Sequence, residues 1–226
     1  MTVCFVLGTR PEITKTLGVI SSLISNGKLP VRVLFTGQQT NLMLSTIQEF
    51  DEMQEVCTEW IGDPNESNYD PDWMLKFRQF FEALDSRLRP ELLVGTGDTN
   101  SVLVAAETAK NHAIPFLHLE AGIRHDTDKQ LEPEEVNRRR ISPIATYHFC
   151  PSAAQKSNLQ NEGIDEDKIF VAGDLSRVSV ATTWKQLTSV NSWDGGSIVA
   201  EHFDYRKKLC LCTCLLYTSP SPRDRG

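Results

Sequence analysis

The sequence predicts an α/β fold built on a doubly wound, mainly parallel sheet. The order of apolar and helical segments predicts this class, and the composition shows that the chain can build its core. Short apolar runs alternate with longer segments of helical periodicity, which is the pattern of parallel strands joined by crossover helices. The chain has 226 residues, of which 40% are hydrophobic and 23% are charged, so it carries enough apolar material for one full-sized core.

The apolar runs and the helical segments follow one another in a regular order. Strands are predicted at 3–7, 31–36, 92–96, 115–119, 146–150 and 168–172. Helices are predicted at 11–25, 70–88, 100–111, 133–144 and 152–162. The first helix is marked at both ends, because Pro11 lies in its first turn, where proline lacks no needed N–H, and Asn26-Gly27 is a left-handed cap signal.

The second predicted helix carries an aromatic stripe that predicts packing over a sheet. Its large side chains recur at helical spacing: Trp73, Phe77, Phe80, Phe81 and Leu84. A ligand platform is the alternative interpretation, but core packing is what a helix needs to cover a sheet. Arg89-Pro90 then ends the helical segment and leads into the next strand.

Composition divides the chain into four regions. Residues 1–180 hold the predicted α/β domain, and the polar, turn-rich residues 181–205 are predicted to be an interdomain linker. Residues 206–213 begin another buried strand, which we interpret as the start of a truncated second domain. Residues 214–226 resemble the conceptual translation of a sequencing adapter, so we expect a non-native tail without function.

Charge and hydropathy exclude several classes of function. A net charge of −7 argues against nucleic acid as a partner, because polyanion binders carry a basic stripe. No segment approaches the roughly 20 apolar residues that span a bilayer, and the run at 3–7 is too short for a signal peptide. We therefore expect a cytoplasmic protein without membrane partners.

The six cysteines predict neither disulfides nor a metal site. Cys4 and Cys150 lie in apolar, strand-like runs, where a free thiol acts as a small hydrophobic group. Cys210, Cys212 and Cys214 alternate with single residues and lack the second Cys/His pair of a tetrahedral zinc site. We expect no metal.

Basic groups surround the turn that follows the first strand. In a parallel sheet, ligands bind beyond the carboxyl ends of strands. Gly8 permits a tight turn, and the start of the helix after it offers free N–H groups and a positive dipole end to an anion. Arg10 and Lys15 add positive charge. The alternative is a plain strand-to-helix turn with solvated charges.

Three carboxylates follow later strands. Asp98 and Glu120 each come just after an apolar run and beside a glycine, whereas Glu134 opens a helix. Each one alone is more often structural, and an acid at a helix start offsets the macrodipole. Three carboxylates that meet at one sheet edge, opposite a basic turn, suit proton transfer beside a phosphorylated leaving group. His118, within a strand, is predicted to be a packed imidazole or one that supports the site residues without touching the ligand.

In this order and spacing, the four strand ends resemble the non-hydrolysing UDP-N-acetylglucosamine 2-epimerases. The shared elements are GTRPE at 8–12, GDT at 97–99, H-x-EAG-x-R at 118–124 and PEE-x-NR at 133–138. The resemblance runs from residue 1 to about 213. It implies a glycosyltransferase-like pair of Rossmann-like domains with the active site between them, of which this chain has the first and lacks the second.

The resemblance also implies roles for individual residues. It assigns catalysis to Asp98, Glu120 and Glu134, and substrate binding to Arg10, Lys15 and Arg138. The implied reaction interconverts UDP-N-acetylglucosamine and UDP-N-acetylmannosamine through loss of UDP, formation of 2-acetamidoglucal and re-addition of UDP. It requires no metal and no other cofactor. The implied parent is a cytoplasmic homodimer of cell-surface polysaccharide biosynthesis, and the truncated chain is expected to be inactive.

Departures from the family pattern leave other functions open. Gln39-Thr40-Asn41 replaces the family's His-Arg, which argues against a family-like effector site, and Asp174 follows Gly173 where the family often has Asn. The alternatives are a 2-epimerase of another UDP-amino-sugar, a nucleotide-sugar glycosyltransferase, and a non-catalytic nucleotide-sugar-binding module. Three carboxylates favour an epimerase, because many transferases manage with one base.

Overall fold

A computed structural model describes residues 2–27, 29–38, 56–61, 72–125 and 132–181. Its strands are β1 (Val3–Leu7), β2 (Val31–Phe35), β3 (Cys57–Trp60), β4 (Leu92–Thr96), β5 (Phe116–Leu119), β6 (Tyr147–Cys150) and β7 (Ile169–Val171). They form one sheet in the order β3-β2-β1-β4-β5-β6-β7, and every neighbouring pair is parallel. The predicted doubly wound, Rossmann-like α/β fold is confirmed.

The helices lie between the strands, as the sequence predicts. They are α1 (Arg10–Ser25), α2 (Trp73–Ala83), α3 (Asn100–Asn111), α4 (Pro133–Ile141) and α5 (Ala153–Asn161), with 3-10 turns at Ser86–Leu88 and Glu166–Lys168. Residues 175–181 are also helical. The predicted helix 70–88 is shorter in the structure, because Leu84 is extended and the Asp85 carboxylate accepts the Arg87 N–H to start the 3-10 turn.

Two further differences have local causes. The predicted helix 133–144 ends at Ile141, after which residues 142–144 form a turn. Strand β3 was not predicted, because it is a four-residue edge strand whose sequence, CTEW, has no continuous apolar run. The predicted linker beyond residue 181, the strand at 206–213 and the tail at 214–226 lie outside the described residues.

Both faces of the sheet are covered, so the central strands are buried on both sides. On one face, Cys4 and Val6 pack against α2, α3 and α4. On the other face, Phe5 and Leu7 pack against α1. The aromatic stripe of α2 belongs to the first face, where Trp73, Phe77 and Phe81 are buried and Phe80 packs beside them. The prediction that this stripe packs in the core is confirmed for these four residues, whereas Leu84 follows the helix in an extended conformation.

The order of the strands reverses direction at β1. Strand β2 follows β1 on one side, whereas β4 pairs with β1 on the other. Connections therefore leave in opposite directions from neighbouring strands, which opens a crevice at their carboxyl ends. Gly8, the first residue after β1, packs so closely that an added Cβ would overlap the hydroxyl oxygens of Ser101 and Thr36. The turns after β1 and β4 thus lie against each other.

Three sequence expectations concern cysteines, membranes and metals. Cys4 and Cys150 are both free and buried. Within the described ranges, no helix combines the length and the apolar character needed to cross a bilayer. The same part of the chain brings together no group of three or more His, Cys, Asp or Glu side chains suited to a metal ion.

Candidate active site

The turn after β1 is closed by a carboxylate from its own helix. Thr9 is the extended N-cap of α1, and Glu12 is the third residue of the helix. The N–H groups of Gly8 and Thr9 donate to Glu12 Oε2, at 2.5 and 3.0 Å. This is the capping-box arrangement of a T-x-x-E sequence. Of the N–H groups around this helix start, those of Gly8 and Thr9 are therefore bound by Glu12 and are not free for a ligand anion.

The second oxygen of Glu12 reaches across the crevice. The Thr99 hydroxyl, which lies just beyond β4, donates to Glu12 Oε1 at 2.5 Å. The Glu12 residue is only 3% exposed. Burial raises its pKa to about 7, and the charge of Asp98 adds to this effect. Glu12 is not among the residues predicted for the site, although the spacing T-x-x-E is a signal that could have identified it.

The raised pKa of Glu12 predicts a pH-dependent stability. The ordinary pKa is 4.5 and the folded pKa is about 7, so the folded state binds more protons between these values, and stability falls as the pH rises through that window. The loss attributable to Glu12 is up to about 3 kcal/mol. Glu12→Gln should remove this loss, so the variant should gain stability relative to the wild type between pH 4.5 and 8.

Urea unfolding at several pH values measures this difference. His118 and His148 act in the opposite direction, because burial lowers the pKa of each to about 4, so each removes stability as the pH falls below about 6.5. Their contribution is common to both proteins and cancels in the difference. Parallel stability profiles for wild type and Glu12→Gln would contradict the prediction.

The turn after β4 is held from three sides. Arg138 Nη2 forms an ion pair with the carboxylate of Asp98. Asn137 Nδ2 donates to the Asp98 carbonyl oxygen at 2.8 Å. His118 Nε2 lies 2.7 Å from the Gly97 carbonyl oxygen, and since a carbonyl oxygen only accepts, this nitrogen carries the proton and donates it. The prediction that His118 is a packed imidazole is confirmed.

The turn after β5 contains the second ion pair. Lys15 Nζ lies 2.7 Å from Glu120 Oε2, and the Glu120 side chain is only 8% exposed. Glu120 has φ of +57°, in the left-handed region that non-glycine residues rarely adopt. Strained backbone of this kind clusters at functional sites. A Cβ added to Gly97 would lie 3.8 Å from Glu120 Oε2, so the turns after β4 and β5 are adjacent.

The segment that follows Glu120 is anchored by Arg124. Its Nε and Nη2 donate to the two carboxylate oxygens of Glu162, each at 2.6 Å, and Nη2 also donates to Ser142 Oγ at 2.8 Å. The Arg124 side chain is 8% exposed. Planar, two-point pairing of this kind fixes orientation as well as distance. Arg124 therefore ties the turn after β5 to the ends of α4 and α5.

Arg10 and Glu134 complete the predicted set, and both are exposed. Arg10 is the first residue of α1, and Glu134 lies in the first turn of α4, one turn before the two residues that contact Asp98. Neither charged group forms a hydrogen bond or ion pair with another described residue.

Next to Glu134, Glu135 is buried, and its carboxylate lies 2.9 Å from Arg139 Nε and 3.4 Å from Arg138 Nη1.

All six predicted residues lie at the carboxyl edge of the sheet. The structure brings four of them into two contacts, Lys15 with Glu120 and Asp98 with Arg138. Each contact joins a carboxylate, which can accept or donate a proton, to a cation, which can stabilise developing negative charge. The individual catalytic and binding roles remain predictions.

An apolar cavity of about 400 Å³ reaches this edge from one face of the sheet. It lies beside α1 and the 172–178 segment, and its walls include Phe5, Leu23, Leu119, Phe149 and Leu175. Glu120 is the charged residue at its border. Glu120 therefore borders the apolar cavity, and its carboxylate contacts Lys15.

Comparison with known proteins gives a consistent result. A family model described as UDP-N-acetylglucosamine 2-epimerase matches residues 22–214. A UDP-N-acetylglucosamine 2-epimerase of Methanocaldococcus jannaschii is 33% identical over 77% of this chain and 46% of that protein. A UDP-2,3-diacetamido-2,3-dideoxy-D-glucuronate 2-epimerase of Pseudomonas aeruginosa is 29% identical over 89% of this chain and 57% of that protein. The chain spans about half the length of the curated relatives it matches.

Solved structures agree with the sequence comparison. The crystal structure of the Methanocaldococcus jannaschii UDP-GlcNAc 2-epimerase in complex with UDP-GlcNAc and UDP matches with a TM-score of 0.71 and 29% identity. The match covers 84% of this chain and 51% of that one. The similarity therefore extends through most of the sheet and its helices.

Proposed function

Because the chain belongs to the UDP-N-acetylglucosamine 2-epimerase family, we propose that it supplies acid–base residues of a nucleotide-sugar 2-epimerase. The observation that carries the proposal is the meeting of two carboxylate–cation pairs at the strand-order reversal, Lys15 with Glu120 and Asp98 with Arg138. A crevice at this position is where open parallel sheets bind ligands. The relatives named as UDP-N-acetylglucosamine 2-epimerases support a UDP-amino-sugar as the substrate.

The proposed reaction interconverts UDP-N-acetylglucosamine and UDP-N-acetylmannosamine. A base removes the proton at C2 while the bond from C1 to the UDP oxygen breaks, which yields 2-acetamidoglucal and UDP. An acid then returns a proton to C2 on the opposite face, and UDP adds again at C1. The carboxylates of Asp98, Glu120 and Glu134 are the candidates for these proton transfers.

The positive groups have a separate task in this proposal. Departing UDP carries more negative charge than the bound ester, so fixed cations near it stabilise the transition state. Arg10 is exposed at the start of α1, and Lys15, farther along the same helix, contacts Glu120 in the turn after β5. We assign this stabilising role to these two side chains. Since Glu12 occupies the backbone N–H groups of Gly8 and Thr9, side chains rather than these amides would meet the diphosphate.

A second candidate is a 2-epimerase of a different UDP-amino-sugar. The Pseudomonas aeruginosa relative, named for a UDP-diacetamido-glucuronate, aligns with 89% of this chain at 29% identity. The departures at Gln39-Thr40-Asn41 and Asp174 are compatible with such a substrate. Parallel assays with both UDP-sugars separate the two candidates. A cytoplasmic homodimer and a role in cell-surface polysaccharide biosynthesis complete the proposal, supported by the family resemblance alone.

Ligand binding by the chain itself tests the site. We expect UDP-N-acetylglucosamine to bind weakly, because a cleft between two domains shares its ligand contacts between them and each 1.4 kcal/mol lost is a tenfold loss of affinity. In a nuclear magnetic resonance titration, the amide signals that shift should be those of the turns after β1, β4 and β5. Lys15→Gln should weaken the effect, whereas Lys110→Gln, at the opposite end of α3, should not.

Two results would contradict this expectation. Shifts confined to other parts of the chain would place the ligand elsewhere. A micromolar dissociation constant in a calorimetric titration with UDP would show that this chain holds the main nucleotide site, contrary to the proposed division of contacts between two domains.

A further inference from the structure

Glu12 has more contacts than a helix cap requires. A capping box needs one carboxylate oxygen near the N-cap N–H and is satisfied at an exposed helix start. Here the carboxylate is buried, and it binds the N–H groups of Gly8 and Thr9 as well as the Thr99 hydroxyl. Burying a carboxylate is costly unless all of its hydrogen bonds are formed. The extra bond to Thr99 is the contact that capping alone does not explain.

The bonds of Glu12 join the two turns that carry the predicted site. Arg10 precedes Glu12 and Lys15 follows it within the first turns of α1. Asp98 directly precedes Thr99, whose hydroxyl also accepts the Val102 N–H at 3.4 Å and so caps α3. A displacement of the Glu12 carboxylate would therefore move the turn that bears Asp98 relative to the helix that bears Lys15.

Glu12 itself has no free side for a substrate. Both of its oxygens are occupied by described groups, and the residue is 3% exposed. We propose that Glu12 is a positioning residue of the candidate active site: its carboxylate ties the start of α1, the helix that carries Arg10 and Lys15, to the turn that carries Asp98. The expected effect on ligand binding rests on the proposed function, but the hydrogen bonds that join the two turns are a property of the fold.

Four variants separate positioning from plain structural support. Glu12→Ala removes the hydrogen bonds to Gly8 and Thr9 as well as the one to Thr99. Of these three bonds, Thr99→Val removes only the one between Thr99 and Glu12. Thr99→Ser keeps a hydroxyl and serves as the rescue. Thr16→Val is the matched control, since the buried Thr16 hydroxyl donates only within α1, to the carbonyl oxygens of Glu12 and Ile13. Circular dichroism first establishes which variants are folded. If Glu12→Ala does not fold, Thr99→Val alone tests the positioning role.

The first measurement is spectroscopic and needs no ligand. Thr99→Val should shift the amide signals of Gly8 and Thr9, although these residues are distant in sequence, and Thr99→Ser should restore them. Thr16→Val should leave the signals of Asp98 and Thr99 in place. The inference is overturned if folded Thr99→Val leaves Gly8 and Thr9 unchanged, or if Thr16→Val produces the same shifts at Asp98 and Thr99.

The second measurement uses UDP-N-acetylglucosamine as the probe. Misplaced groups lose much of their effect even when they remain present, so Glu12→Ala and Thr99→Val should raise the dissociation constant by about tenfold or more. Thr99→Ser and Thr16→Val should bind like the wild type. Unchanged affinity in folded Thr99→Val would overturn the positioning role. Failure of the wild type to bind would count against the proposed function, and the spectroscopic measurement would then decide on the tie alone.

Discussion

Replacing Glu120 by Gln is expected to lower epimerase turnover by roughly 10²- to 10⁴-fold, the range typical of a lost general acid or base. The Glu120 side chain is nearly buried, and its carboxylate contacts Lys15. Water therefore has little access to take over its role in proton transfer. The same loss is expected for Asp98→Asn, which removes the charge paired with Arg138, and for Glu134→Gln.

The measurement uses a chimera in which residues 1–181 of this chain precede the second half of the Methanocaldococcus jannaschii relative. Conversion of UDP-N-acetylglucosamine to its C2 epimer is followed by nuclear magnetic resonance. Glu82→Gln is the matched control, because Glu82 is exposed on α2 and lies away from the crevice. Near-normal turnover of a variant would remove that residue from the mechanism.

Gly8→Ala is expected to destabilise the fold by about 3 kcal/mol or more, at the upper end for overpacking of a tight interior. The new Cβ would overlap Ser101 Oγ and approach Thr36 Oγ1. Both hydroxyls are completely buried and bonded to each other at 2.7 Å. Backbone movement is also restricted, because β1 pairs with a strand on each side.

Urea unfolding followed by circular dichroism measures the loss. Gly27→Ala is the control, since Gly27 has φ of +58° but nothing within 4 Å of an added Cβ. The free energy of unfolding of that variant should fall only by the roughly 1–2 kcal/mol that an alanine costs in a left-handed backbone conformation. Ser101→Ala in the Gly8→Ala background should recover part of the stability by removing the overlapping oxygen. Equal losses for the two glycine variants would refute the packing argument.

The fold was predictable because its signals are local. Apolar runs alternate with helical segments, and caps such as Pro11 and Asn26-Gly27 mark helix ends within a few residues. Strand β3 escaped prediction, because an edge strand need not be apolar along its length. The strand order, in contrast, cannot be read from any single segment, since it depends on which strands pair across long intervals of sequence.

The site was predictable only in part for the same reason. Residue types at strand ends indicated Asp98, Glu120 and Lys15 correctly as members of one sheet edge. The contacts around them are long-range. Thr99 reaches Glu12 because β1 and β4 are neighbours. Asn137 reaches Asp98 because α4 packs against α3, the helix that follows Asp98. An acid at the start of a helix is ordinarily explained by capping of that helix. The sequence therefore provided no reason to expect the second contact of Glu12, to the Thr99 hydroxyl.

The interior place of β1 in the sheet also has a consequence for synthesis on the ribosome. Its neighbour on one side, β2, emerges soon afterwards, but its other neighbour, β4, begins at Leu92. Because the ribosome adds roughly 5–20 residues per second, several seconds pass between the synthesis of β1 and that of the second strand that pairs with it. During that interval, the most apolar strand of the sheet has an unpaired edge. The nascent chain is therefore most vulnerable to wrong pairing before the turn that bears Asp98 has been made.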